Sequence, residues 1–382
     1  GLKLRGSWAQ VGGATPTAYI LNETYSMVQG GHNGRPVQEL TSDLVNNPGL
    51  RPLTSTTYEF GVDAQFFDGR LGADVTFYNR KTTDDIVESN ISQASGYNRA
   101  LLNVGELNNR GIEILLTGKP IKKEDFNWDV SYNVSYNKSE IQQLAEGLDA
   151  IVVGDGVGGG SIRNVVGRPY GALWGYKKLT DQNGQTVFNR ESGYAVRGPL
   201  EEIGQGVPPL IMGLNNTFRY KDFSLNVLID GKFGGMMYSN LYQYAYRFGL
   251  PTETLPGRET GLTVTGVDQN GASFTKTWEP KDIDTYYDND KFYTSMFMFD
   301  NDFVKLRQLI LSYNLPIEKF HWAKLQGATI SLVGRNLLTL YKDKRNKYFD
   351  PESSYTNSNA QGLEAIGVPR TRSFGVNLIV KF

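Results

Sequence analysis

Tyrosine and tryptophan carry most of the chemistry this chain can offer. Tyr170, Trp174 and Tyr176 crowd one stretch, and Tyr242, Tyr246, Trp278, Tyr286 and Tyr287 crowd another between residues 236 and 302. An aromatic face stacks on a sugar ring or an apolar side chain, and tyrosine adds a hydroxyl for hydrogen bonding. These eight are the expected substrate contacts, although the same rings would equally pack their own loops. Catalysis has fewer candidates. There is no cysteine, which removes disulfides, thiolate metal sites and cysteine nucleophiles together. The only histidines, His32 and His321, are far apart in sequence, so neither a hydrolase triad nor a histidine metal centre is expected. Carboxylates are plentiful, but Glu59, Asp63, Asp74, Asp129 and Asp230 fall at alternate positions of extended segments, where a wet wall explains them better than a glycosidase pair.

Two segments, Asp181-Gln182-Asn183-Gly184 and Asp268-Gln269-Asn270-Gly271, begin like a calcium loop but lack its downstream acidic ligand, and Asn-Gly favours a tight turn. The glycine cluster Gly154 to Gly160 lacks the Lys and Ser/Thr of a phosphate loop and reads as a mobile connection. The chain is thus expected to have no catalytic residue, cofactor or metal ligand. Binding, not bond making, is the expected work.

The elements that position the aromatics are strands. From Arg370 to Phe382, Phe374, Val376, Leu378, Val380 and Phe382 share one face, while Ser373, Gly375, Asn377 and Lys381 share the other with Ile379 as its one apolar intruder. Two aromatic ends eight residues apart span roughly 19 Å on a strand tilted about 45°, the height of a membrane band. The same alternation recurs at Tyr58 to Phe66, Leu71 to Tyr78, Ile112 to Leu116 and Trp128 to Asn137. Met212 to Tyr220 and Phe223 to Phe233 form a hairpin through Lys221 and Asp222. Phe303 to Asn314, whose faces are mixed, pairs with Ala328 to Tyr341, and Leu2 to Val11 completes ten strands with the terminal one. Connections alternate between short turns and long loops at 13 to 55, 87 to 108, 140 to 210, 236 to 302 and 342 to 369, as in an antiparallel transmembrane β-barrel with extracellular loops. His321 falls in an expected periplasmic turn.

Composition agrees. The 39 basic and 40 acidic residues nearly balance and no basic tract occurs, which sets nucleic acid aside. No apolar run is long enough for a transmembrane helix, whereas a barrel strand needs only alternate apolar residues. The chain lacks a leader-like segment at its start and is expected to begin partway through a longer protein.

Taken together, eight segments resemble the SusC/RagA family of TonB-linked outer-membrane transporters: TTYEFGVDAQFFDGRLGADVTFYNRKTTDD, NVGELNNRGIEILL, VGRPYGALWGY, GLNNTFRYKDFSLNVLID, DNDFVKLRQLILSYNLP, VGRNLLTLY, DPESSYTNSNAQGLE and GVPRTRSFGVNLIVKF. The resemblance implies that residues 1 to 382 are the C-terminal part of a 22-stranded barrel, without its plug domain and N-terminal strands. It also implies outer-membrane import of a glycan or peptide nutrient. The partners would be a SusD-like surface lipoprotein, TonB acting through the missing plug, the rest of the transporter, its ligand and outer-membrane lipid. A soluble secreted β-sandwich that binds carbohydrate is the alternative, since alternating strands and aromatic loops would serve it equally.

Overall fold

The computed structural model describes residues 1–13, 18–20, 22–45, 47–145, 147–288, 293–316, 325–356 and 360–382. Ten strands run in sequence order as one antiparallel meander: β1 (Leu2–Gly13), β2 (Leu53–Phe66), β3 (Leu71–Asn90), β4 (Arg99–Lys122), β5 (Phe126–Gln143), β6 (Leu210–Tyr220), β7 (Phe223–Phe233), β8 (Phe303–Asn314), β9 (Gly327–Lys342) and β10 (Ser373–Lys381). An eleventh short piece, Leu44–Val45, lies parallel to the start of β4. The tight reversals depend on backbone that only some residues adopt easily. Phe67, Asp68 and Gly69 all take positive φ between β2 and β3, and Lys221 does so between β6 and β7. His321 lies outside the described residues.

Register turns the alternation into a surface. Trp8 faces Tyr58, Phe60 faces Phe77, Phe77 faces Ile112, Ile112 faces Tyr136, and Leu332 faces Val376. Because facing residues point to the same side of a sheet, one apolar face runs unbroken across all ten strands. Aromatics border it at both ends. Phe66, Trp128, Phe218, Phe223 and Tyr313 lie towards the short turns, with Trp128 stacked on Phe218 at 5.7 Å and Phe223 on Tyr313 at 4.6 Å. Trp8, Tyr58, Tyr136, Phe233 and Tyr341 lie towards the loops, with Phe233 stacked on Tyr341 at 6.3 Å. Among the described residues no second sheet covers this face: Val376 is 68% exposed, and Val130, Tyr132 and Val134 stay partly exposed. The sandwich alternative therefore does not hold, since a sandwich buries such faces against each other. Every wall strand but the two outermost has a ladder on both sides, which satisfies its backbone polar groups without water.

The mixed faces of β8 have a cause. The β7 and β9 registers both slip beside Arg307, where a β-bulge inserts one residue and reverses the parity, so Leu306 and Leu309 point to the same side. The loop between β3 and β4 is also shorter than the alternation suggests. Both strands extend far beyond the apolar band, to Asn90 and from Arg99, so most of residues 87 to 108 is ladder.

Three of the long loops, 140 to 210, 236 to 302 and 342 to 369, fold together. Ala150–Asp155, Ser161–Val165, Ala172–Lys178 and Arg197–Gln205 form a four-stranded sheet. The hairpin Leu262–Asp268/Ser273–Trp278 pairs in parallel with Val187–Phe188, and Met236–Ser239 lies between Met298–Asp300 and Leu363–Glu364. Helices α1 (Asn240–Arg247) and α2 (Ile283–Tyr287) complete this body. Its core gathers Ile162, Leu173, Met237, Tyr238, Phe297, Met298, Phe299, Phe349 and Leu363, drawn from three separate loops. The glycine cluster is part of this packing rather than a mobile connection. A Cβ on Gly156 or Gly160 would lie 2.7 or 2.8 Å from the Tyr238 ring, so the glycines form a collar that only a bare backbone can make.

Candidate functional site: the inner wall and its roof of loops

The polar face of the wall is the opposite one, and it carries Glu59, Asp63, Asp74, Asp129 and Asp230 as the alternation requires. Its side chains cross-link the strands. Arg5 pairs with Asp74, Arg219 Nη1 meets Asp129 at 2.5 Å, and Asn226 Nδ2 donates to Asn215 at 2.8 Å and to Thr217 Oγ1 at 3.0 Å. Tyr78 lies over Gly111 and donates its hydroxyl to Asn137 at 2.9 Å.

At the loop end this face is roofed in two places. Leu107 of β4 and Ile141 of β5 pack on Leu144 and Ile151, with Tyr170 against them. The second place is an ion cluster at the β8 bulge. Lys305 Nζ donates to Asp350 and Glu352, both at 2.7 Å, while Arg307 donates to Asp230 at 2.7 Å, to Asn336 at 3.0 Å and to Glu352 at 3.0 Å. The bulge that scrambles the sequence pattern is thus what aims Arg307 at the loop. Burial by itself would raise the Glu352 carboxyl, yet hydrogen bonds from Arg307 and Lys305 hold it down at about 2. Glu364, fully buried, ties the same loop to α1: its Oε2 accepts from Ser239 Oγ at 2.8 Å and from the Leu241 amide at 2.9 Å. Ser239 in turn caps α1 by accepting from the Tyr242 amide at 3.0 Å.

The eight expected contact residues separate into groups. Tyr242 and Tyr246, one turn apart on α1, are buried with Trp278 and Tyr287, and Tyr286 is half-buried beside them. Trp278 lies 5.2 Å from Tyr286, Tyr286 5.1 Å from Tyr287, and Tyr246 5.4 Å from Tyr287. Burial pushes the phenols of Tyr242 and Tyr286 up to about 12, so they remain neutral donors. Tyr170, Trp174 and Tyr176 stand apart on and beside the four-stranded sheet, all half-buried, with Arg197 5.4 Å over the Tyr176 ring. Both Asp-Gln-Asn-Gly segments are turns in which the Asp oxygen accepts two amides, Asn183 at 2.9 Å and Gln185 at 2.7 Å in the first, Asn270 and Ala272 at 2.9 Å in the second.

Sequence reasoning passed over the cleft between α1 and α2. About 560 Å³ in volume, it is lined by Arg247, Phe248, Arg258, Ile283, Asp284 and Tyr287 among others. Arg247 pairs with Asp288 at its edge, and Arg258 donates to the Thr254 carbonyl at 2.9 Å. No residue type marks such a cleft in the sequence, because its two walls are a turn of helix and a segment some forty residues later.

A lipid-facing apolar band between two aromatic belts, backed by a polar face that loops cover at one end, defines the wall of an outer-membrane β-barrel. The chain belongs to the family described as TonB dependent receptor-like, beta-barrel, whose model matches residues 1–337. It is similar to TonB-dependent receptor P26 of Formosa agariphila, 27% identical over 99% of this chain and 40% of that protein. It is also similar to TonB-dependent receptor SusC of Bacteroides thetaiotaomicron, 24% identical over 100% of this chain and 37% of that one. The fold matches the RagAB peptide transporter with a TM-score of 0.75 and 20% identity, covering 100% of this chain and 41% of that structure. The chain therefore spans about two fifths of the length of these relatives.

Proposed function

We propose that this chain is the C-terminal wall and much of the outer mouth of a TonB-dependent importer that carries a glycan or peptide nutrient across the outer membrane. In this reading a plug domain and further strands from the rest of the protein complete the barrel, TonB acts on the plug from the periplasm, and a SusD-like lipoprotein closes over the mouth. The relatives support it: they are TonB-dependent receptors, SusC among them, and a peptide transporter. The observation that carries it is the joined roof, in which loops from residues 140 to 210, 236 to 302 and 342 to 369 pack on one core, with an aromatic-edged cleft opening within the 236 to 302 loop.

Within the eight aromatics, Tyr287 lines the cleft and is offered to ligand there, with Tyr242, Tyr246, Trp278 and Tyr286 packed beside it, and the half-buried Trp174 and Tyr176 on the four-stranded sheet are a separate candidate surface. Tyr170 holds its loop to the wall. Replacing Phe248 and Arg258 together by alanine in the full-length protein should cut uptake of the nutrient about tenfold or more while the barrel stays inserted. Uptake of labelled oligosaccharides and oligopeptides, measured side by side in cells, separates the two substrate classes; unchanged uptake of both by the double variant would overturn the assignment of the cleft.

A further inference from the structure

The outward face of the wall changes character just above its upper aromatic belt. One step beyond Ile112 and Tyr136 on the same face stand Arg110 of β4 and Lys138 of β5, and the register sets these two cations directly opposite each other. Opposed side chains on one face have Cβ atoms about 4.5–5.5 Å apart, and like charges there repel. Lys81 of β3 shares the face, opposite Asn108. Lys138 reaches Glu140 at 3.3 Å and Lys81 reaches Glu106 at 2.7 Å. Arg110 is exposed and, among the described residues, makes no direct ion pair, although the Glu140 carboxylate bound to Lys138 also feels its charge. The inner surface does not need this arrangement, because none of the three side chains points to it.

Glu140 offsets only one of the two facing charges, so an anion bridging Arg110 and Lys138 would relieve the remainder, and the position says which anion. The pair lies where the apolar band ends and headgroups begin, and a belt of aromatics marks that level on the neighbouring strands. Guanidinium offers a planar fork for two phosphate oxygens, and ammonium a compact charge beside it. A free phosphate and a lipid headgroup present the same chemistry, but only a lipid also lays its acyl chains along the band directly below. We propose that Arg110 and Lys138, with Lys81 beside them, bind the phosphate of an outer-leaflet lipid headgroup.

The test uses the full-length protein in detergent, with bound lipid counted by native mass spectrometry after addition of bisphosphorylated lipid A or of the same lipid stripped of its phosphates. The wild type should retain the phosphorylated lipid, and the R110Q/K138Q variant should retain it about tenfold less. R110K should keep most of it, and K123Q, at the opposite end of the wall, should match the wild type. Equal retention by R110Q/K138Q, or equal retention of the stripped lipid, would overturn the proposal. So would displacement of the lipid by millimolar inorganic phosphate, which would mark a small-anion site instead.

Discussion

The wall and the roof solve the same packing problem in opposite ways. On the wall, large apolar residues such as Leu2, Trp8, Phe60 and Val376 are exposed, because their solvent is lipid. In the roof, Tyr238, Met298 and Leu173 are fully buried, because their surroundings are water and the loops must supply their own core. Wall stability is consequently spread over hydrogen-bonded ladders and indifferent to most single side chains, whereas roof stability is concentrated in a few rings and ion pairs.

The contrast is sharpest at Tyr238. Tyr238→Ala should destabilise the roof by about 3–5 kcal/mol and expose its loops to trypsin, while the heat-modifiable gel mobility of the folded barrel stays unchanged. Coupled loss of both would show that the two regions fold as one unit. The reverse substitution is Val62→Arg, between Tyr58 and Phe66 on the lipid face, which should cost the wall about 2–4 kcal/mol in urea unfolding and leave loop proteolysis as it was. Glu352→Gln comes next, at about 2–3 kcal/mol for the attachment of the 342 to 369 loop.

The pH dependence of that attachment follows from its sign. With the folded carboxyl at about 2 and an unfolded value near ~4.3, the contribution is full above pH ~4.3 and is lost as pH falls through about 2. Limited proteolysis from pH 6 down to pH 2 should show this loop releasing in the wild type and already loosened in Glu352→Gln. At the small end, Asn133→Ala on the exposed inner face should change stability by no more than about 0.5 kcal/mol. A larger effect would mean that the polar face is tied together more tightly than its hydrogen bonds indicate.

The same division decided what could be read beforehand. The ten wall strands, their hairpin turns and the polar positions of Asp63 and Asp129 follow from a period of two, which each strand expresses within its own residues. Where that period breaks, at the Arg307 bulge, the faces of β8 could not be assigned, and the extra residue proved to be the one holding the loop. The glycines from Gly154 to Gly160 look like slack until Tyr238, about eighty residues away in sequence, is seen inside them. Nothing in the residues around Glu364 marks it as the partner of Ser239, 125 residues away.

Alternation alone determined that each strand has one greasy and one wet face, because a side chain's direction on a strand depends only on its parity; that the greasy face is left uncovered, as a membrane wall requires, was decided by the tertiary structure. Tertiary structure decided which loop aromatics are buried, which carboxylates are paired and where a cleft opens. Those outcomes depend on contacts between segments that share no local pattern, and each loop finds its core only in the presence of the other two.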